Sequence, residues 1–407
     1  MTIIFTFLQF FNTLHSMTKK QESLDDSGLS RVNYVESRDH ENEILKTIEN
    51  RDDAEASRIK RYLAMPDLSR TQGSPLHEIV KRVTSLPNLK DFDHIDIPEV
   101  IPTSILFDLF GFPADHPARS KSDTYYIGEK NVLRTHDTVM WYYYLNLPEI
   151  KKKIAENKEL GVFCYGKVYR KDEIDRKHMN VFHQMGALYL VPDSKREAPF
   201  EELKKVMIDI VQSVFGKDTK YRFAPETFPY TNPSIEVEVE INGEWFEILG
   251  SGMPKKEVLA NFGLHGYNGW AFGFGLERLA IIGMELPDIR LLWSEDARVK
   301  KQLVLGQKFV EVSKYPPVVR DISFVVKNDF VPNDYFDLVR ETAPNMVEEV
   351  HLLDKYENSE KFGNNMISYA FRITYRSLER TLTSAEVDTT HKKLEEVTKK
   401  IFNAKVR

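Results

Sequence analysis

Residues 234–241, SIEVEVEI, alternate apolar and acidic side chains, and Asn242-Gly243 separates them from the apolar run WFEIL at 245–249. A period of two places Ile235, Val237, Val239 and Ile241 on one face of a strand. Asn-Gly between two such runs is the strongest short hairpin signal, because both turn residues must adopt positive φ. An antiparallel sheet is therefore written into the middle of this chain. Two further runs, GVFCYGKVYR at 161–170 and VFHQMGALYLV at 181–191, are strand-like and flank the charged stretch KDEIDRKHMN. They predict a hairpin with a long polar connection. Phe200, Leu203, Val206, Met207, Ile210, Val211, Val214 and Phe215 recur at helical spacing and predict an amphipathic helix over 200–215. PLHEIVKRV predicts another helix from Pro75, followed by a Pro-rich connector through Pro87, Pro98, Pro102, Pro113 and Pro117. Strands paired by hairpins and flanked by helices make an α+β fold, without the β-α alternation of a doubly wound sheet.

The C-terminal stretch repeats the exercise at smaller scale. DISFVVK is a strand, DYFDLVRETA a helix, VEEVHLLDKYE and ISYAFRITYRS strands, and TSAEVDTTHKKLEEVTKKIF a helix. Thr383 and Glu386 stand in capping-box spacing at the start of that last helix. The order β-α-β-β-α is that of a ferredoxin-like domain. Residues 361–407 hold 10 Lys and Arg against 5 Asp and Glu, a local +5 in a chain of net charge −6. A solvated helix face explains that surplus on charge alone, and a surface for phosphate backbones is the functional reading.

Length and composition narrow the rest. A chain of 407 residues has room for two or three domains. Its single cysteine, Cys164, excludes an internal disulfide framework and a multi-cysteine zinc site. No apolar run reaches the ~18 residues of a membrane helix, so no membrane partner is expected. Residues 3–14, IIFTFLQFFNTL, are apolar and uncharged, with Lys19 and Lys20 the first basic residues. They suit an atypical targeting segment, or a start at Met17 instead. Residues 18–60 are mixed in charge and poor in aromatics, which predicts a poorly ordered lead-in with one helix from Glu41 onward.

Three segments hold the chemistry. GKVYRKDEIDRKHMNVFHQ, 166–184, sets Arg170 at the end of one strand and Phe182, His183 and Gln184 on the next. A guanidinium there can clamp a phosphate, and a flat ring can carry a base. A surface Arg and a core Phe are the plain alternative. WFEILGSGM, 245–253, places Glu247 in an apolar strand beside Gly250 and Gly252. A carboxylate there is paired, bound to a cation, or on the solvated face of an edge strand. GWAFGFGLERLAI, 269–281, has a G-x-G with no parallel β-α-β unit around it. It reads better as a strand delivering Arg278 toward an anion than as a dinucleotide loop.

Taken together these segments resemble motifs 2 and 3 of the class II aminoacyl-tRNA synthetases, and most closely the single-chain, mitochondrial type of phenylalanyl-tRNA synthetase. GFPADHPARSKSDTYYI, VLRTH, FHQM, FPYTNPS, PDIRLLW, SKYPPVVRDISF and FRITYRSLERTL extend the resemblance over roughly 75–407. It implies an antiparallel-sheet catalytic domain over 61–300, a linker at 301–312 and a ferredoxin-like anticodon-binding domain over 313–407, behind a targeting or poorly ordered segment at 1–60. The implied activity is ATP-dependent activation of phenylalanine and its transfer to phenylalanine tRNA, by a monomer in the mitochondrial matrix. In that resemblance Arg170 neutralises the α-phosphate, and Asp172 and His178 belong to a loop over ATP. Phe182 stacks on one adenine face, Arg278 covers the other and reaches the γ-phosphate, and Glu247 helps to hold Mg²⁺. Phe228, Tyr230, Ala271 and Phe272 would line the phenylalanine side-chain pocket. His136, with Asp137, Thr138 and Met140 just after it, and Gln184, Met185 and Gly186 would meet the substrate's ammonium and carboxylate.

The chain departs from the family at the amino-acid end. Where the family has Glu shortly after FHQ, this chain has Gly186, and after RTH it reads Asp137, Thr138 and then Trp141 in place of a Gln. Loss of those acceptors predicts a raised phenylalanine KM with an ordinary ATP KM, repaired by Gly186→Glu or by a Glu inserted after Met185. Asp137 is a candidate substitute carboxylate. A non-catalytic paralogue that binds ATP and RNA, and a synthetase for another aromatic acid, stay open as alternatives.

Overall fold

The computed structural model describes residues 19–24, 30–171 and 175–407. They divide into two compact units, one ending at Phe309 and the other Val310–Arg407.

The first unit is organised around one sheet in the order β1-β2-β3-β7-β8-β12-β11-β10-β9. Its strands are β1 (Lys19–Leu24), β2 (Ser30–Val35), β3 (Asp93–Asp96), β7 (Leu160–Tyr169), β8 (Val181–Pro192), β9 (Tyr221–Glu226), β10 (Thr231–Ile241), β11 (Glu244–Pro254) and β12 (Tyr267–Gly275). The remaining strands of this unit, β4 (Val100–Pro102), β5 (Tyr126–Ile127) and β6 (Asn131–Leu133), make a small separate sheet. Pairing in the large sheet is antiparallel except at β2–β3 and β3–β7. The expected hairpin between β10 and β11 is present, with φ of 55° at Asn242 and 86° at Gly243. So is the β7–β8 hairpin, paired from Leu160↔Leu190 to Tyr169↔Val181.

Helices of this unit are α1 (Asp39–Glu49), α2 (Ala54–Ala64), α3 (Pro75–Thr84), α4 (Met140–Asn146), α5 (Pro148–Ala155), α6 (Phe200–Phe215), α7 (Lys256–Asn261), α8 (Leu276–Met284) and α9 (Ala297–Lys300). Along α6 the buried residues are Leu203, Val206, Met207, Ile210, Val211 and Val214, as its spacing requires. The helix expected from Glu41 onward is α1, while the expectation that the lead-in to residue 60 is otherwise poorly ordered is corrected by α2. Ile48, Ala56, Ile59 and Tyr62 share a buried cluster with Tyr169 and Val181. Glu41, 8% exposed, accepts the backbone N–H groups of Glu99 and Val100 at 2.8 and 2.9 Å. Charged residues dilute the apolar stripe of α1 and α2, so composition alone understates their order. The expected targeting segment at 3–14 lies outside the described residues. Among the described residues no helix is long and apolar enough to cross a membrane.

The second unit contains β13 (Val318–Lys327), α10 (Pro332–Thr342), β14 (Val347–Glu357), α11 (Ser359–Phe362), β15 (Met366–Tyr375), α12 (Ser384–Phe402) and β16 (Lys405–Val406). Its sheet order, β14-β15-β13-β16, completes the ferredoxin-like β-α-β-β-α-β arrangement with a short last strand. The capping box is formed: Glu386 N–H donates to Thr383 Oγ1 at 3.3 Å, and Thr383 N–H to Glu386 Oε2 at 2.9 Å.

Candidate active site

Register builds the floor of the site. Cys164 of β7 pairs with Gly186 of β8, Gly186 with Gly273 of β12, and Gly273 with Gly250 of β11. Three glycines thus stand side by side across the sheet, and side chains from loops descend onto the bare backbone. A Cβ on Gly250 would lie 2.7 Å from the Phe228 ring, and one on Gly186 would lie 2.2 Å from Asp137 Oδ2. Above this floor opens a cleft of about 660 Å³. His136, Asp137, Thr138, Met140, Arg170, His178, Phe182, Gln184, Gly186, Phe228, Tyr230, Glu247, Ala271, Phe272 and Arg278 all border it.

One end of the cleft is cationic and aromatic. Arg170 follows β7 directly and its Nε donates to the Thr135 carbonyl at 3.0 Å. Its guanidinium lies 5.2 Å from the centroid of the Phe182 ring. Such a stack holds the guanidinium plane at the wall of the cleft. Arg278 is the third residue of α8, and its side chain is 47% exposed. It faces Glu247 of β11 at 3.2 Å, also half exposed. Glu247 is therefore on the open side of its strand and paired. His178 sits on the β7–β8 connection with its Nδ1 3.0 Å from Asp175 Oδ1. Asp175 is held below the usual carboxylate range by the N–H of Lys177 and the His178 ring. Asp172, expected beside it, lies outside the described residues.

The other end is buried. Phe228 and Tyr230 lie on the turn before β10, stacked at 5.9 Å and 13°. Burial raises the Tyr230 hydroxyl to about 12, opposed by its hydrogen bond to Thr138. Ala271 is on the face of β12 shared with Gly273. Phe272 borders the cleft, yet period-two alternation sends its ring the other way, into the ladder Trp270–Phe272–Phe274 at 6.2 and 6.0 Å. The same alternation removes Met185. It is fully buried between Gln184 and Gly186 and does not border the cleft, which corrects its expected place.

His136 and Asp137 hold the polar part of this end. The Asp137 N–H donates to Gln184 Oε1 at 3.1 Å. The His136 ring is stacked 6.0 Å from Phe112, and burial lowers its basicity to about 3, so it is neutral. Trp141 is buried against Phe110 and Tyr230, at 5.5 and 6.0 Å, and fills apolar space where a Gln was expected to bond substrate. Gly186→Glu would have to displace the Asp137 side chain. The first carbon of any side chain at 186 falls on the Asp137 carboxylate.

Sequence reasoning missed the tie between the two motif strands. Glu277 on α8 is 3% exposed and accepts from the His183 backbone at 2.8 Å, with the His183 ring Nδ1 at 2.7 Å. His183 Nε2 in turn accepts the Leu68 N–H at 2.9 Å. This buried link fixes Phe182 and Gln184 on β8 relative to Arg278. A charged residue inside an apolar helix was its visible signal.

An antiparallel sheet with a glycine floor, two arginines facing one another's cleft and a ferredoxin-like second unit define a class II aminoacyl-tRNA synthetase architecture. The comparisons agree. The family described as tRNA synthetases class II core domain (F) matches residues 61–303, and the ferredoxin-fold anticodon binding domain matches 313–407. The mitochondrial phenylalanine--tRNA ligase of Mus musculus is 36% identical over 348 residues, covering 76% of this chain and 74% of that protein. The chloroplastic/mitochondrial one of Arabidopsis thaliana is 36% identical over 323 residues, 77% of this chain and 72% of that protein. The mitochondrial one of Saccharomyces cerevisiae is 32% identical over 392 residues, covering 76% and 82%. The chain belongs to the class II synthetases and, among them, to the mitochondrial-type phenylalanine--tRNA ligases.

Proposed function

We propose that this chain joins phenylalanine to ATP, forming phenylalanyl-adenylate and pyrophosphate, and then passes the phenylalanyl group to the terminal ribose of phenylalanine tRNA, releasing AMP. The observation that supports it is one continuous cleft with a cationic end at Arg170 and Arg278 and an aromatic end at Phe228 and Tyr230. The phenylalanine carboxylate attacks the α-phosphorus and pyrophosphate leaves, so negative charge concentrates on phosphate oxygens. Arg170 meets it at the α-phosphate, while Arg278 covers the adenine and reaches the γ-phosphate. Phe182 supplies the second flat face for the base. No nucleophile from the protein is required, because positioning and charge neutralisation carry the reaction.

Mg²⁺ supplies charge neutralisation on the leaving phosphates when bound. Among the described residues no group of three His, Cys, Asp or Glu is arranged for a metal. Glu247, half exposed on the open side of β11, would help to hold the ion together with substrate phosphates. His178 and Asp172 belong to the connection over ATP. The second unit takes the anticodon end of the tRNA, using the surplus of Lys and Arg over 361–407. The proposed setting is the mitochondrial matrix and the proposed working form a monomer, as for the single-chain relatives. Nothing in the comparisons favours a non-catalytic paralogue.

The test is phenylalanine-dependent ATP–pyrophosphate exchange by the purified full chain. Exchange supported by another amino acid in preference to phenylalanine would overturn the substrate assignment. Specificity is expected to respond to Ala271. It is small, borders the cleft on β12, and pairs with Gly252 of β11. Ala271→Gly should admit para-substituted phenylalanines, measured as new exchange activity with 4-chlorophenylalanine. An unchanged substrate range would place Ala271 away from the ring's para position.

A further inference from the structure

Among the described residues the cleft contains three buried side-chain polar atoms with no partner: His136 Nδ1 and Nε2, and Asp137 Oδ2. Asp137 is only 4% exposed. An unpaired carboxylate oxygen in such a place is costly unless a ligand completes it. Its position is set by the turn that begins at Asp137 and by the bond from its backbone N–H to Gln184. The carboxylate comes down on the glycine floor. A Cβ on Gly186 would be 2.2 Å from Oδ2 and 2.9 Å from Cγ, and a Cβ on Gly273 would be 3.5 Å from Oδ1. A side chain at 186 therefore requires the Asp137 carboxylate to move from this position.

We propose that Asp137 is the acceptor for the α-ammonium group of the amino-acid substrate, and that Gly186 is bare to make room for it. The proposal rests on the amino-acid activation proposed above and names the residue that holds the substrate's cation. In this chain the ammonium subsite is carried by the turn after β6, not by a side chain of β8. Asp137 is acceptor-only when ionised, and the neighbouring His136 is neutral, so nothing on that turn repels a cation. Burial pushes the Asp137 carboxyl up to about 7, opposed by the charges of Arg134 and Arg170. Arg134 is itself committed to the Lys167 and Ile97 carbonyls at 2.7 and 3.1 Å. Cys164 on β7 and Tyr230 before β10 also face it, and burial raises both.

The sign of the pH dependence follows. Below about 7 the empty site is protonated and must lose that proton to bind an ammonium. Phenylalanine KM should then rise as pH falls from about 8 to about 6, approaching tenfold per unit at the acid end. The inhibition constant of 3-phenylpropionate, which has the ring and carboxylate but no ammonium, should not follow that curve.

The experiment is done on the full chain by ATP–pyrophosphate exchange. Asp137→Asn should raise phenylalanine KM about 10- to 150-fold, the equivalent of one charge-assisted hydrogen bond. It should leave ATP KM and 3-phenylpropionate inhibition unchanged. Gly186→Glu alone should lose phenylalanine binding, and Asp137→Thr with Gly186→Glu should recover part of it. An Asp137→Asn enzyme with the original phenylalanine KM, or one that loses 3-phenylpropionate to the same degree, would overturn the assignment. Asp137→Thr alone is read in the same way should the Asn variant not fold. An unmutated chain without phenylalanine-dependent exchange would instead overturn the activity, and this assignment with it.

Discussion

Arg278→Ala is expected to slow phenylalanine-dependent ATP–pyrophosphate exchange about 10²–10³-fold, and Arg170→Ala to do the same. Each arginine is proposed to meet phosphate oxygens whose negative charge grows as the carboxylate attacks. Removing one preorganised donor of that kind costs about 2.7–4 kcal/mol of transition-state stabilisation. The geometry bears on how each loss would look. Arg278 is held over the cleft by Glu247 at 3.2 Å, so its removal also leaves that carboxylate unpaired near the phosphates. Arg170 is anchored on the Thr135 carbonyl and packed on Phe182, so its removal loosens the proposed base-stacking ring as well. Both variants should fold, since neither guanidinium is inside a hydrophobic cluster. Lysine at either position should restore a part only, because it keeps the charge but not the two-pronged geometry. Exchange within a few-fold of the original in either alanine variant would sink the role given to that residue.

Removing 310–407 is expected to abolish charging of phenylalanine tRNA while exchange continues near its original rate. All the residues bordering the cleft precede residue 300, and the break between compact units falls at Phe309–Val310. The second unit has a core of its own, including Phe324, Tyr335, Phe371, Tyr375 and Leu394. Its loss should therefore leave the first unit folded. Charging by the full chain should weaken as salt rises, because Lys and Arg contacts to phosphates release counterions. A folded truncated protein that charges tRNA at the full rate would remove the anticodon role from the second unit. Loss of exchange together with charging, in a truncated protein that is folded, would mean that the division of labour is wrong.

How far this architecture could be read beforehand differs between its parts. The β10–β11 hairpin, the β7–β8 hairpin, α6 and the capped α12 were legible because each is specified by neighbours in the chain. Asn242-Gly243 has few conformations to choose from, and Thr383 and Glu386 satisfy one another locally. A helix near α1 was legible, but α2 and the anchoring of both helices were not. Their stability comes from Tyr169 and Val181, far along the chain, and from Glu41 binding the backbone at Glu99 and Val100. The cleft residues were found through short segments in a familiar order. Met185 was misplaced because a motif names residues without saying which face of the strand each occupies.

By itself the sequence determined the periods, the turns and the residue types, and with them the α+β class, the second unit and the identities of Arg170, Phe182 and Arg278. These follow from local sterics and from burial that repeats every two or 3.6 residues. Only the tertiary structure decided what Asp137 and Gly186 mean together. They are 49 positions apart in the chain, and on sequence alone Gly186 looked like a loss and Asp137 like a candidate substitute with no stated relation in space. Cross-strand register brings Gly186 beside Gly273, and the turn at Asp137 lowers a carboxylate onto them. Excluded volume between those two sites, which no spacing in the sequence encodes, turns an apparent loss and a candidate substitute into one fitted pair.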